Sequence, residues 1–395
     1  MKAALLVITS ALIGYMGLSN IARAAVFILA VPVFWTLADS RYTAFAVILA
    51  YKLSASRGLL PGAAVFLSEV HTPFQAAALY FLMPFGASLP FFVFWSENRI
   101  RKAICLVLAF DAAYILPPIS LIGIINPLMA SGTIFRGWGF AGILTVLAIY
   151  ALCAVSKKYA YMFLCIIALF AALPGDGWYI PSSPNEVMAV NTSFGRLGSG
   201  SFNFVQDYER TKMVFNELRK RDIANTKADV IVLPETIAGR LNDTGLELWR
   251  GEIQKLLPDK DNTVIFGAEL PSGDGRKYDN AAILLHDGKT SAVYQRIPVP
   301  YSMYRGPFAK TGANLHILDN NILVLPDGRK AAVIICYEAF LTWPFIASMI
   351  HSPNFIICSA NLWWCKDTSL PKTQKTVVSL WELTFGLPVV FAWNI

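Results

Sequence analysis

Charge is scarce in this chain. Asp, Glu, Lys and Arg make up 15% of its 395 residues, against 55% hydrophobic residues, where an ordinary soluble domain carries about a quarter charged residues. The shortage is uneven. Residues 1–177 hold 11 Lys and Arg against 5 Asp and Glu, and residues 178–395 hold 22 against 21. The net charge of +7 therefore comes from loops of an apolar half and not from a basic face on a folded domain, which excludes a nucleic-acid surface. Metal-binding patterns are absent as well. His71, His286, His316 and His351 have no ligand-like spacing, and the six cysteines contain no C-x-x-C pair, so neither a zinc site nor another cofactor is expected. Cys105, Cys153 and Cys165 lie in apolar stretches and read as packing residues. Cys336, Cys358 and Cys365 lie in the polar half, where a Cys358–Cys365 disulfide would require an oxidising compartment. Internal repeats and low-complexity segments are missing too.

What is present in the first 175 residues is a series of long uncharged runs. About 20 such residues suffice for a transmembrane helix. Candidates are 3–22, 24–38, 72–96, 103–125, 137–156 and 159–174, with an imperfect span at 42–69 interrupted by Lys52 and Arg57. The first run lacks a small-residue cleavage site and is followed by further spans, so it reads as a retained helix. The basic stretches Arg99, Arg101, Lys102 and Lys157, Lys158 bracket two spans and place that face in the cytoplasm. Seven spans then put the polar half in the periplasm of a Gram-negative cell, anchored in the inner membrane. Lys52, Arg57 and Asp111 are costly in hydrocarbon. The first two are expected to snorkel or to sit in a re-entrant piece, and Asp111 to face a protein-lined cavity.

Pro and Ser residues at 176–185 form a linker. Beyond it, apolar strands are expected at 186–190, 229–233, 263–268 and 354–359, with hairpins at 280–296 across Asp287-Gly288 and at 321–336 across Pro326-Asp327-Gly328. Helical patterns cover 204–224 and 244–257. Strands alternating with helices make residues 186–395 an α/β layer domain.

Two strands of this domain end in chemistry. Val230-Ile231-Val232-Leu233-Pro234 leads to Glu235, and Ala331-Ala332-Val333-Ile334-Ile335 leads to Cys336. A thiol needs a base or a positive neighbour to become a nucleophile near neutral pH, and Glu235 is a candidate base. Arg296, in Tyr294-Gln295-Arg296-Ile297-Pro298, is the candidate for holding a developing oxyanion. Taken singly, a strand-end Cys is ordinarily inert core, Glu235 a helix-start carboxylate, and Arg296 a surface arginine.

Together these residues fall in the Glu, Lys, Cys order of the nitrilase (carbon–nitrogen hydrolase) superfamily. The chain resembles the membrane branch of that superfamily, the apolipoprotein N-acyltransferases, through Leu233-Pro234-Glu235, Tyr278-Asp279-Asn280, Ile335-Cys336-Tyr337-Glu338 and Ser359-Ala360-Asn361-Leu362-Trp363-Trp364. The Gln-Arg-x-Pro-Val-Pro variant at 295–300 looks like that of conjugal-transfer proteins of Ti-type and rhizobial plasmids. The resemblance implies a multi-span α-helical membrane bundle followed by a nitrilase-like four-layer α-β-β-α domain. It implies Glu235, Arg296 and Cys336 as the catalytic set, and Tyr337, Glu338, Asn361, Trp363, Trp364 and Met303 as substrate contacts. The implied reaction moves an acyl group from phospholipid, through a Cys336 thioester, to an amine of an envelope or pilus protein. Small-amide hydrolysis and a catalytically weakened assembly factor for conjugation are the rival readings. Three departures stand out. The family lysine is Arg296, which can hold a negative charge but stays protonated. A family glutamate is replaced by Met303. The family's closing strands and last membrane helix have no counterpart, so one sheet edge is expected to be missing or supplied by another segment.

Overall fold

The computed structural model describes residues 1–18, 22–66, 73–173, 186–196, 204–257, 262–273 and 275–395; the expected linker at 176–185 lies outside them. The chain forms two compact units. One comprises Met1–Pro181, Phe340–Trp343 and Cys365–Leu387, and the other Ser182–Ala339, Pro344–Trp364 and Pro388–Ile395. The segments 340–343 and 365–387, read from the sequence as part of the carboxy-terminal domain, thus cluster with the amino-terminal helices.

The first unit contains α1 (Lys2–Met16), α2 (Ala30–Leu37), α3 (Arg41–Ala55), α4 (Leu59–Phe66), α5 (Pro73–Val93), α6 (Arg99–Tyr114), α7 (Phe140–Val155) and α8 (Lys157–Ala172). Ser40 caps α3 by accepting the Thr43 N–H at 3.2 Å, and Asn98 caps α6 through the Arg101 N–H at 3.0 Å. Among the described residues the expected run of about seven crossing-length spans is not realised. Among the described residues one helix, Phe74–Val93, is long and apolar enough to cross a membrane. The helices of 15 or 16 residues reach about 24 Å, short of a ~30 Å hydrocarbon core. Hydropathy alone passes over local breaks. The run 42–69 divides at Ser56–Gly58 between α3 and α4, and 103–125 leaves the helix after Tyr114, ahead of Pro117-Pro118. The basic residues read as loops instead open α6 and α8. Lys52 does not snorkel: it is fully buried, and its Nζ donates to the Ile124 carbonyl at 2.9 Å. Apolar side chains also face outward, among them Leu5, Ile8 and Leu12 of α1, Phe81, Leu82 and Phe85 of α5, and Ile100, Ile104 and Leu108 of α6.

The helix Leu370–Phe385, not among the elements expected from the sequence, belongs to this unit. Thr384 anchors its end: the hydroxyl donates to the Met129 carbonyl at 3.0 Å and accepts the Gly132 N–H at 3.1 Å, while the Thr384 carbonyl accepts the Gly139 N–H at 2.7 Å.

The second unit is mixed α/β and holds two sheets. The first contains β1 (Val187–Ala189), β2 (Val230–Val232), β3 (Thr263–Ser272), β4 (Lys277–His286) and β5 (Lys289–Tyr294) in that order, with β6 (Gly312–Ala313) added beside β4. The second contains β7 (Ile322–Val324), β8 (Lys330–Ile335), β9 (Phe355–Asn361) and β10 (Val389–Asn394), in the order β10-β9-β8-β7. The β4–β5 turn has positive φ at Asp287 and Gly288 (46° and 66°), the two-residue geometry that matches strand twist. Helices α9 (Phe204–Lys220) and α10 (Asp243–Leu256) cover the first sheet, packing Phe215, Leu218, Trp249 and Ile253 against Ile231, Val264, Phe266 and Ile283. The remaining helices are α11 (Thr342–Met349) and α12, the Leu370–Phe385 helix of the first unit.

Of the two expected alternatives for the sheet edge, the structure shows the second: another segment supplies it. β10 pairs in parallel with β9 over Val389–Asn394. On its other side the Thr192 N–H donates to the Trp393 carbonyl at 2.9 Å, and the Ile395 N–H to the Thr192 carbonyl at 3.1 Å. The Asn394 side chain locks this edge, accepting the Phe194 N–H at 2.9 Å and donating to the Gly195 carbonyl at 2.8 Å.

Trp249 stacks on Phe266 at 4.6 Å and meets Phe215 edge-on at 5.1 Å in the centre of this core. Trp249→Ala is expected to destabilise the second unit by about 3–5 kcal/mol, read as a lowered denaturant midpoint of the full chain.

Candidate active site

Cys336 directly follows β8, and Glu235 lies three residues beyond β2. Both are buried. Cys336 has φ +49°, a left-handed conformation that a non-glycine residue holds only when its surroundings enforce it. The chain turns there from strand into a short 3-10 helix, Cys336–Phe340. Glu235 approaches β3 so closely that a Cβ on Gly267 would lie 2.5 Å from the Glu235 Cα. Only glycine admits that approach.

The thiol and the carboxylate meet: Cys336 is hydrogen-bonded to Glu235. Glu235 is held from two further directions. Its Oε1 accepts from Asn280 Nδ2 at 2.7 Å, and its Oε2 accepts the Asn361 N–H at 2.9 Å. Burial pushes this carboxyl up to about 7, against the hydrogen bonds from Cys336, Asn280 and Asn361, with the Glu269 carboxylate adding to the rise. The group thus titrates where a general base is useful.

Arg296 is not the third member of this cluster. Its side chain is fully buried and turned to other partners: Nε donates to the Asp319 carbonyl at 2.5 Å, and Nη2 to the Asn320 carbonyl and to Ser348 Oγ, the latter at 2.9 Å. The neighbouring residue occupies the place instead. Gln295 Oε1 accepts from Asn280 Nδ2 at 2.8 Å, and its Nε2 donates to the carbonyl of Ile335, next to the nucleophile candidate, at 3.0 Å. Consecutive residues leaving a strand point to opposite sides, so a one-residue difference in register exchanges a guanidinium for a neutral amide.

The other expected contacts divide. Glu338 does not offer its carboxylate to a substrate. Oε1 accepts the N–H groups of Arg296 and Ile297, and Oε2 accepts the Ile335 N–H at 2.9 Å. It ties the end of β5 to the end of β8. Burial raises this carboxyl above its usual range, while Arg296 and the three amides oppose the rise. Asn361 holds Glu235 through its backbone and Thr236 Oγ1 through Nδ2 at 2.8 Å, and it accepts from Asn394 at 2.9 Å. Trp364 donates to the Asn361 carbonyl at 3.1 Å, and Trp363 lies under the Arg196 guanidinium at 5.3 Å. Tyr337 is buried. Met303 is fixed through its backbone, its N–H on the Val299 carbonyl and its carbonyl on the Ala313 N–H. Cys358 and Cys365 are free thiols.

Asn280 and Gln295 carry no role expected from the sequence, although they lie in the segments Tyr278-Asp279-Asn280 and Gln295-Arg296-Ile297-Pro298. The signal was the Tyr-Asp-Asn segment and an amide next to the expected cation. Gly267 carried no signal short of its contact with Glu235.

No family model matches the chain. It is 30% identical over 418 aligned residues to the conjugal transfer protein TraB of Agrobacterium fabrum strain C58, covering 100% of this chain and 93% of that protein. It is 28% identical over 399 residues to a probable conjugal transfer protein TraB of Sinorhizobium fredii NGR234, covering 99% and 97%. Among solved structures, a nitrilase-superfamily amidase from Nesterenkonia AN1 superposes with TM-score 0.39 at 12% identity, over 55% of this chain and 79% of that one. A second Nesterenkonia amidase structure gives TM-score 0.37 at 14% identity, over 53% and 74%.

Three outcomes follow from this geometry. Alkylation of Cys336 by iodoacetamide, followed by peptide mapping, is expected to rise with pH through about 7, as Glu235 ionises and can accept the thiol proton; in Glu235→Gln that rise is lost. Arg296→Met leaves the Asp319 and Asn320 carbonyls and Ser348 Oγ without their buried donor and is expected to cost about 1–3 kcal/mol of stability, read as a lowered denaturant midpoint. Gln295→Ala removes no charge and is expected to slow the alkylation while leaving the thermal midpoint within a few degrees of wild type.

Proposed function

The chain belongs to the family of TraB conjugal transfer proteins, and from that premise we propose that it is a membrane-anchored thiol acyltransferase of nitrilase type serving plasmid transfer. The observation that carries the reading is the buried Glu235–Cys336 pair, with the carboxyl brought to about 7 and the cysteine in a left-handed turn at a strand end. Cys336 Sγ attacks the ester carbonyl of a phospholipid. Glu235 takes the thiol proton and returns it to the departing alkoxide, leaving a thioester. An amine of an envelope or pilus protein then attacks the thioester, its proton passes to Glu235, and the thiolate leaves and is reprotonated. With Arg296 turned elsewhere, the oxyanion falls to N–H donors: the backbone at the Cys336 turn and the Gln295 amide.

A membrane setting is supported by the helix Phe74–Val93 and by the outward apolar side chains of α1, α5 and α6. The excess of Lys and Arg over Asp and Glu in residues 1–177 supports an inner-membrane setting with the second unit on the periplasmic side. The neutral amide at the third position also favours a second reading, an assembly factor that has kept the thiol but lost turnover.

Mass spectrometry of the full chain incubated with phospholipid vesicles is expected to show an acyl adduct on Cys336, absent in Cys336→Ala and reduced at least about tenfold in Glu235→Gln, the scale of a lost general base. Absence of the adduct together with normal plasmid transfer by Cys336→Ala would sink the enzyme reading in favour of the assembly role.

A further inference from the structure

Within the helical unit, Lys52 is fully buried on α3. Its Nζ donates to the Ile124 carbonyl at 2.9 Å and lies 4.5 Å from the centre of the Tyr114 ring. No carboxylate pairs with it among the described residues. Three phenol hydroxyls nearby are also without a hydrogen-bond partner: those of Tyr51, Tyr114 and Tyr150. All three side chains are at most 1% exposed. They come from three helices, α3, α6 and α7. The Phe110 ring links two of them, 5.7 Å from Tyr114 and 5.9 Å from Tyr150.

Buried polar groups are nearly always satisfied, and each exception needs a cause. A buried cation without a counter-charge costs several kcal/mol more than an unpaired hydroxyl. Water would satisfy the hydroxyls but would not neutralise the ammonium. A small anion does both, because it accepts from three O–H groups and one ammonium N–H and asks for no acceptor in return. We propose that Lys52, Tyr51, Tyr114 and Tyr150 enclose a binding site for a small monovalent anion of the halide class. This site shares no residue with the Glu235–Cys336 cluster and stands independently of the acyltransferase reading. The anion would tie α3, α6 and α7 together through one shared centre.

The test uses the full chain in detergent micelles, with chloride or gluconate as the only anion at equal ionic strength. The thermal midpoint of wild type is expected to be about 2–4 °C higher in chloride. Lys52→Met should abolish the difference. Tyr150→Phe, which keeps the ring and removes one O–H, should shrink it, and this variant remains informative if Lys52→Met fails to fold. Equal midpoints for wild type in the two salts would overturn the proposal and leave water as the partner of the hydroxyls. A chloride increment unchanged in both variants would overturn it equally.

Discussion

One buried carboxylate sets the geometry on which the candidate site rests. Glu338 accepts three backbone N–H groups, from Ile335, Arg296 and Ile297. Burying a carboxylate costs several kcal/mol unless its oxygens are satisfied, so these three bonds and the nearby Arg296 charge make the arrangement tolerable. Its effect is mechanical. It clips the end of β5 to the end of β8 and holds Gln295 against the Ile335 carbonyl. Because Asn280 donates to both Gln295 and Glu235, the position of the clip is passed on to the thiol–carboxylate pair.

The same clip explains how charge is distributed. Arg296 serves Glu338 and the carbonyls of Asp319 and Asn320, so its positive charge is spent on structure. What surrounds Glu235 is largely neutral: a thiol, an asparagine and a backbone amide. Burial then dominates the titration of Glu235, and the group behaves as a weak base near neutrality. A cation at the third position would lower Glu235 and favour the thiolate, whereas a glutamine adds no charge to offset burial. In the proposed acyl transfer, such a pair would rely on dipoles for its oxyanion.

Much of the second unit was legible in the sequence. Its strands have the apolar runs and turn residues that local physics demands, and Asp287-Gly288 and Pro326-Asp327-Gly328 marked both hairpins. Cys336 and Glu235 were legible because each ends a buried strand. The helix Leu370–Phe385 was overlooked although Gly386 closes it in a left-handed conformation and Pro388 follows, and β10 was overlooked with it. In the first unit, the apolar runs showed where helices lie but not where they stop, since a hydropathy window averages over Ser56–Gly58 and Pro117-Pro118.

The sequence by itself determined the strand and turn pattern of the second unit, the apolar character of the first, and the placing of a thiol and a carboxylate each at the end of a buried strand, because these depend on residue type and near neighbours. Only the tertiary structure decided that Gln295 and not Arg296 faces that pair, that Glu338 is a clip and not a substrate contact, and that Lys52 is buried among tyrosines. Each of those outcomes turns on which side of a backbone a side chain leaves and on what distant segment meets it there. A one-residue change of register reverses the first, and residues far apart in sequence supply the second.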